Sequence, residues 1–74
     1  MITLDSLQKD QEATVVNISA VAELKKRLQT FGVSKGTLVK VKAFSPTRNT
    51  MTISVNKTTM ALRLEEAAKI EVQL

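Results

Sequence analysis

Cysteine and histidine are both absent from the 74 residues, as are tryptophan and tyrosine. No cysteine means no disulfide and no thiol chemistry. Without cysteine or histidine the usual zinc, copper and haem ligands are missing, which predicts no metal site and no cofactor. A general base or nucleophile must then come from serine or a carboxylate. No serine sits in a Gly-x-Ser-x-Gly elbow. Glu65 and Glu66 form the only adjacent acidic pair, and neighbours on a helix diverge by about 100°, so they do not converge on one atom. Gly32-x-x-x-Gly36 lacks the Lys-Ser/Thr that completes a phosphate loop. These absences predict no catalytic residues and no enzyme. Nor is there an apolar run near the length of a membrane span. The N-terminus alternates polar and apolar residues, so no signal peptide is visible, and the default compartment is the cytoplasm.

What is present suffices for one small domain over residues 1–74, with 43% hydrophobic residues to supply a core. The net charge is +4, and it is unevenly spread. Between Lys25 and Arg63 stand nine basic residues and no acidic one. Asp5, Asp10, Glu12 and Glu23 precede that span, and Glu65, Glu66 and Glu71 follow it. A basic middle suits an acidic or phosphate-bearing partner, and equally a lysine-solubilised surface.

The chain is organised around residues 21–41. Val21, Leu24, Leu28 and Phe31 recur at helical spacing and predict one buried face, with Glu23, Lys25, Lys26 and Arg27 opposite and Ser19 as N-cap. Gly32 is placed to end the helix with a left-handed residue, bringing Val33 against Leu28. Gly36 closes a turn through Ser34 and Lys35. Residues 37–44 then alternate, with Val39, Val41 and Ala43 on one face. Further strands are expected at 13–18, with Val16 and Ile18 sharing a face, at 50–55, at 59–64 with Met60, Leu62 and Leu64 aligned, and at 70–74. Leu4 and Leu7 suit a helical turn after Thr3, and 64–69 a second short helix. Asn56 and Lys57 make a short reversal, with a slightly longer loop as the alternative because the favoured Asn-Gly pair is absent. Five short strands and one real helix predict a mainly β, partly closed five-stranded barrel with a short C-terminal helical turn.

Leu28 through Val39, with the pattern leucine, Phe31, Gly32, Val33 and then Gly36, resembles the helix-to-strand signature of the FeoA family. Ala61 through Val72 is similar to that family's closing pattern, and the resemblance runs nearly end to end. It implies an SH3-like barrel with the helix inserted between the first two strands. It also implies a small cytoplasmic accessory of the ferrous iron transporter FeoB, recruited to the inner face of the membrane without inserting into it. Two positions depart from the pattern: Asp10 stands where the family usually has glycine, and Thr47, Arg48 and Asn49 replace a glycine-containing run in the 45–50 loop. The structural motif is Leu28, Phe31, Gly32, Val33 and Gly36. Expected partner contacts are Lys25, Lys26 and Arg27, together with Leu38, Phe44 and Leu64, which fall out of step with the core alternation. For those three apolar residues a second small core is the competing reading. A nucleic-acid-binding barrel is the alternative function, weakened because only Phe44 is free to stack on a base. The similar barrel appended to metal-dependent repressors is a third, weakened because no DNA-binding segment precedes it here. Oligomeric state is not legible.

Overall fold

A computed structural model describes residues 2–74. Six antiparallel strands form one sheet in the order β1-β6-β2-β3-β4-β5, curled around a single core and left open between its outer strands. They are β1 (Ile2–Thr3), β2 (Glu12–Ile18), β3 (Leu38–Phe44), β4 (Thr50–Val55), β5 (Thr58–Arg63) and β6 (Ile70–Gln73). Helix α1 (Ala22–Thr30) joins β2 to β3, and the single-turn α2 (Leu64–Ala67) joins β5 to β6. The mainly β barrel with an inserted helix is therefore as expected. The sixth strand is β1, whose two residues pair with Val72 and Glu71; two residues are too short a run to show any alternation.

Strand β4 follows the simple period-two rule: Met51, Ile53 and Val55 are each 1% exposed or less. Across the ladder, Met60 and Leu62 of β5 face the same core. Two bulges break the rule elsewhere. In β2 the pairing with β6 slips between Val15 and Asn17, leaving Val16 as the extra residue. Ala13 and Val15 therefore face inward, and Val16 does not share a face with Ile18, contrary to expectation. Ile18, opposite the buried Ile70, packs partly on the core. In β3 the slip falls between Val41 and Ala43, with Lys42 unpaired. Ala43 consequently turns to solvent while Phe44 rejoins the face of Met51. One inserted residue inverts every side chain beyond it, which periodicity alone does not reveal.

Helix α1 buries only Leu24 and Leu28. Val21 is 64% exposed and Phe31 37% exposed, so neither belongs to the predicted stripe. Val21 is itself the extended N-cap residue (φ −64°, ψ 159°), and Phe31 leaves helical geometry at the C-cap. The expected Ser19 cap is not made either: the Ser19 N–H donates to the Lys69 carbonyl at 2.7 Å and prolongs the β2–β6 pairing. The C-terminus ends as the glycine predicts. Gly32 has φ +86°; its N–H donates to Gln29 O at 3.0 Å, and the Val33 N–H donates to Leu28 O at 2.8 Å. These two bonds make a Schellman stop, and Val33 and Leu28, both fully buried, lie in one core cluster. Asp10, standing where the family usually has glycine, takes the left-handed conformation that Asp tolerates better than most residues (φ 71°).

The β4–β5 reversal is the short one expected. Val55 pairs directly with Thr58, so Asn56 and Lys57 are the whole loop, with Asn56 at φ 57° supplying what glycine usually does. The 45–50 loop closes just as firmly. Ser45 N–H donates to Thr50 O at 2.9 Å, and Ser45 Oγ accepts from the N–H groups of Asn49 and Thr50 at 3.1 and 3.2 Å. Arg48, at φ 58°, lays its guanidinium over the Phe44 ring, 4.2 Å from the centroid.

Candidate functional site

The Schellman stop and the following glycine turn build a surface groove. Gly36 (φ +87°) lets the Thr37 N–H return to Ser34 O at 3.0 Å. Thr37 Oγ1 accepts from the Ser34 N–H at 3.1 Å and donates to Gly32 O at 3.3 Å. The segment 32–37 is thus pinned beside α1, and Lys35 is held near the face carrying Lys25 and Gln29. Together with Asn17, Ile18, Val33 and Ser34 of the neighbouring segments, these residues line a groove of about 350 Å³ between α1 and β2. Its apolar floor is the half-buried Ile18, over the fully buried Val33, with Asn17, Gln29 and Ser34 as polar neighbours. Lysines 25 and 35 stand on its rim, and no carboxylate lines it. An apolar floor with a basic rim is complementary to a surface of opposite charge.

The predicted contact residues do not form one surface. Lys25 and Lys26 are exposed, but only Lys25 lines the groove. Arg27 is engaged elsewhere: its Nη2 lies 2.9 Å from Glu66 Oε1 of α2. Leu38, 53% exposed, starts β3, roughly 20 Å along that strand from Phe44 at its end. Phe44 and Leu64 are half-buried against the one core of the domain and form no second core beneath the helices. Both neighbour Arg48: its guanidinium covers Phe44, and it lines a separate notch with Leu64. Of the structural motif, Leu28 and Val33 are core, Gly32 and Gly36 are turns, and Phe31 lies at the surface.

Reasoning from the sequence passed over Lys35 and Glu66. The signal for Glu66 was there: a glutamate three residues after an N-cap reaches back to the cap's N–H. Glu66 Oε1 does so to Arg63 at 3.0 Å. The Arg63 side chain, which has donors only, makes no reciprocal bond. The backbone N–H of Arg63 is the main influence holding the Glu66 carboxyl below its ordinary pKa; burial opposes it, and the Arg27 guanidinium adds to the lowering. A depressed carboxylate contributes stability that is complete above its unfolded pKa and disappears as pH falls through the folded value. Glu66→Gln is therefore expected to lower the melting temperature at pH 7 and to flatten its decline in acid. Parallel acid titrations of the thermal melt check this; superimposable curves would show that the carboxylate contributes nothing.

Among the described residues no three carboxylate, histidine or cysteine groups come together as a metal would require. No helix among them is long and apolar enough to cross a membrane. Compared with known proteins, residues 2–74 match the FeoA domain. The chain belongs to the FeoA family. It is 39% identical over 74 residues to a Campylobacter jejuni protein named "Putative Fe(2+) transport protein A", covering 99% of both chains. The solution structure of FeoA from Chlorobium tepidum superposes with a TM-score of 0.94 at 26% identity, over 99% of this chain and 70% of that one. The crystal structure of Stenotrophomonas maltophilia FeoA complexed with zinc, described as a procaryotic SH3 domain protein, gives 0.84 at 28% identity, over 99% and 91%. The resemblance carried by Leu28, Gly32 and Gly36 thus identifies the family, and the SH3-like expectation holds. As a FeoA protein the chain is an accessory of Fe(2+) transport.

Proposed function

We propose that this FeoA protein is a non-enzymatic accessory that docks, through the groove between α1 and β2, on the cytoplasmic region of a FeoB-type transporter and is thereby held at the inner face of the membrane. The observation that carries the reading is the groove itself, an apolar floor between two lysines in a domain whose family serves ferrous iron transport. Iron is then the transporter's cargo rather than a ligand of this domain. Of the two phenylalanines, Phe44 is already covered by the Arg48 guanidinium, which leaves the nucleic-acid alternative a single exposed ring, Phe31, to stack on.

The test combines Lys25→Glu, Lys26→Glu and Lys35→Glu and leaves Arg27 alone, since Arg27 ties α1 to α2. All three lysines are exposed, so the fold is expected to survive. Rim charges act mainly on the rate of encounter and are screened by salt. Association with the FeoB cytoplasmic region is expected to slow by about tenfold or more at low salt, with a smaller difference near physiological salt. Single-stranded DNA and RNA, measured in parallel, are expected to show no binding tighter than micromolar. Unchanged association of the variant contradicts the groove as the docking site, and nucleic-acid binding with none to the transporter contradicts the function.

A further inference from the structure

The β4–β5 hairpin leaves one ladder unfinished. β5 ends the sheet order and pairs only with β4. Across a two-residue reversal the closing pair, Val55 with Thr58, is the hydrogen-bonded kind, so Met60 and Leu62 also turn their peptide groups toward β4. Thr59 and Ala61 turn theirs the other way. Among the described residues neither has a backbone or side-chain partner on that side, and both residues are exposed. The free stretch stops at Arg63, whose N–H is taken by Glu66. Two N–H and two C=O groups therefore stand open along one edge, a ready template for an added strand.

The charges around that edge select the occupant. Lys57 stands at one end. At the other, Arg48 and Arg63 line a notch of about 300 Å³ with Asn49, Thr50, Leu64 and Glu65. The only carboxylate there, Glu65, lies 3.7 Å from Arg63 with both side chains more than 70% exposed, a weak pair. Lys57 has no acidic partner among the described residues. A second copy of this chain is disfavoured: the antiparallel register that uses all four open groups sets Thr59 against Ala61, and so Lys57 against Arg63 of the other copy. Like charges directly opposite oppose pairing.

We propose that the β5 edge, at Thr59 and Ala61, accepts an extended acidic segment of a partner protein as an added strand, with a carboxylate seated in the notch between Arg48 and Arg63. The proposal rests on the reading of the domain as a protein-docking module, but not on the identity of the transporter.

The test uses the full chain, isotope-labelled, and three synthetic hexapeptides: alternating Glu and Val, alternating Lys and Val, and the acidic peptide N-methylated throughout. The acidic peptide is expected to shift the Thr59 and Ala61 amide resonances and slow their hydrogen exchange. The basic peptide should leave both unmoved, and N-methylation should weaken binding at least about tenfold by removing the peptide's donors. Ala61→Pro deletes one edge N–H without touching the ladder to β4 and is expected to abolish the response. The wild-type comparison between the methylated and unmethylated peptides decides the matter even if that variant folds poorly. Equal binding of the N-methylated peptide, equal binding of the basic one, or shifts confined to the α1 groove would each overturn the proposal. Silence at Thr59 and Ala61 with every peptide would do so too, while docking on the transporter stands or falls by its own association assay.

Discussion

Leu28→Ala is expected to lose about 2–5 kcal/mol of folding stability, the largest effect of any single substitution considered for this chain. Leu28 is fully buried, and its carbonyl accepts the Val33 N–H at the helix stop. Only Leu24 shares with it the task of fastening α1 to the barrel. Truncation leaves a cavity where helix, stop and sheet meet, and the pinned segment 32–37 limits how far the site can collapse. Small domains hold only about 5–15 kcal/mol in total, so the loss is a large share. Urea denaturation monitored by circular dichroism should show a lower midpoint with an unchanged slope. A wild-type midpoint combined with lost partner binding would mean that Leu28 faces a partner and not the core. Loss of iron uptake in this variant would therefore say nothing about direct contact, because the groove beside α1 disappears with the helix.

Gly32→Val is expected to be next in size, at about 1–2 kcal/mol or somewhat more for a β-branched residue. The cause is backbone conformation. A Cβ at this position would meet only Asn56 Nδ2, at 3.8 Å, which is ordinary contact. Space is available, but φ +86° is not a conformation that valine adopts readily. Gly32→Asn should accordingly cost less than Gly32→Val, since asparagine tolerates left-handed backbone. Thermal melts of the two variants check the order. Equal melting of wild type and Gly32→Val would contradict the account of the helix stop, and equal losses from Asn and Val would point to crowding instead.

Much of the fold was legible because it follows local rules. Strand β4 announced itself by strict alternation, α1 by the spacing of Leu24 and Leu28, and its end by Gly32. Where reading failed, the deciding contact was remote. The bulges at Val16 and Lys42 exist only in relation to neighbouring strands, so plain alternation places Ala43 inward and Phe44 out of step with the core, whereas Ala43 is exposed and Phe44 packs on the core. Val21 and Phe31 continue the helical pattern on paper, but the helix is nine residues long and both lie beyond it. Ser19 has a capping side chain, yet pairing with β6 claims its backbone first. The candidate site was half legible. Lys25 stood out by charge; Lys35 did not, because only the turn at Gly36 carries it back beside α1. Arg27 was grouped with its neighbours on helix periodicity, and its engagement with Glu66, thirty-nine residues away in sequence, has no local signature.

The most direct measurement is chemical-shift mapping of the isotope-labelled protein on adding the FeoB cytoplasmic region. Docking through the groove predicts the largest changes at the backbone amides of Lys25, Gln29, Ser34 and Lys35, diminishing as salt is raised. Changes centred on Leu38, or on Phe44 and Leu64, with the groove amides unmoved, would contradict it, as would a spectrum that the transporter leaves unaltered while single-stranded nucleic acid perturbs it.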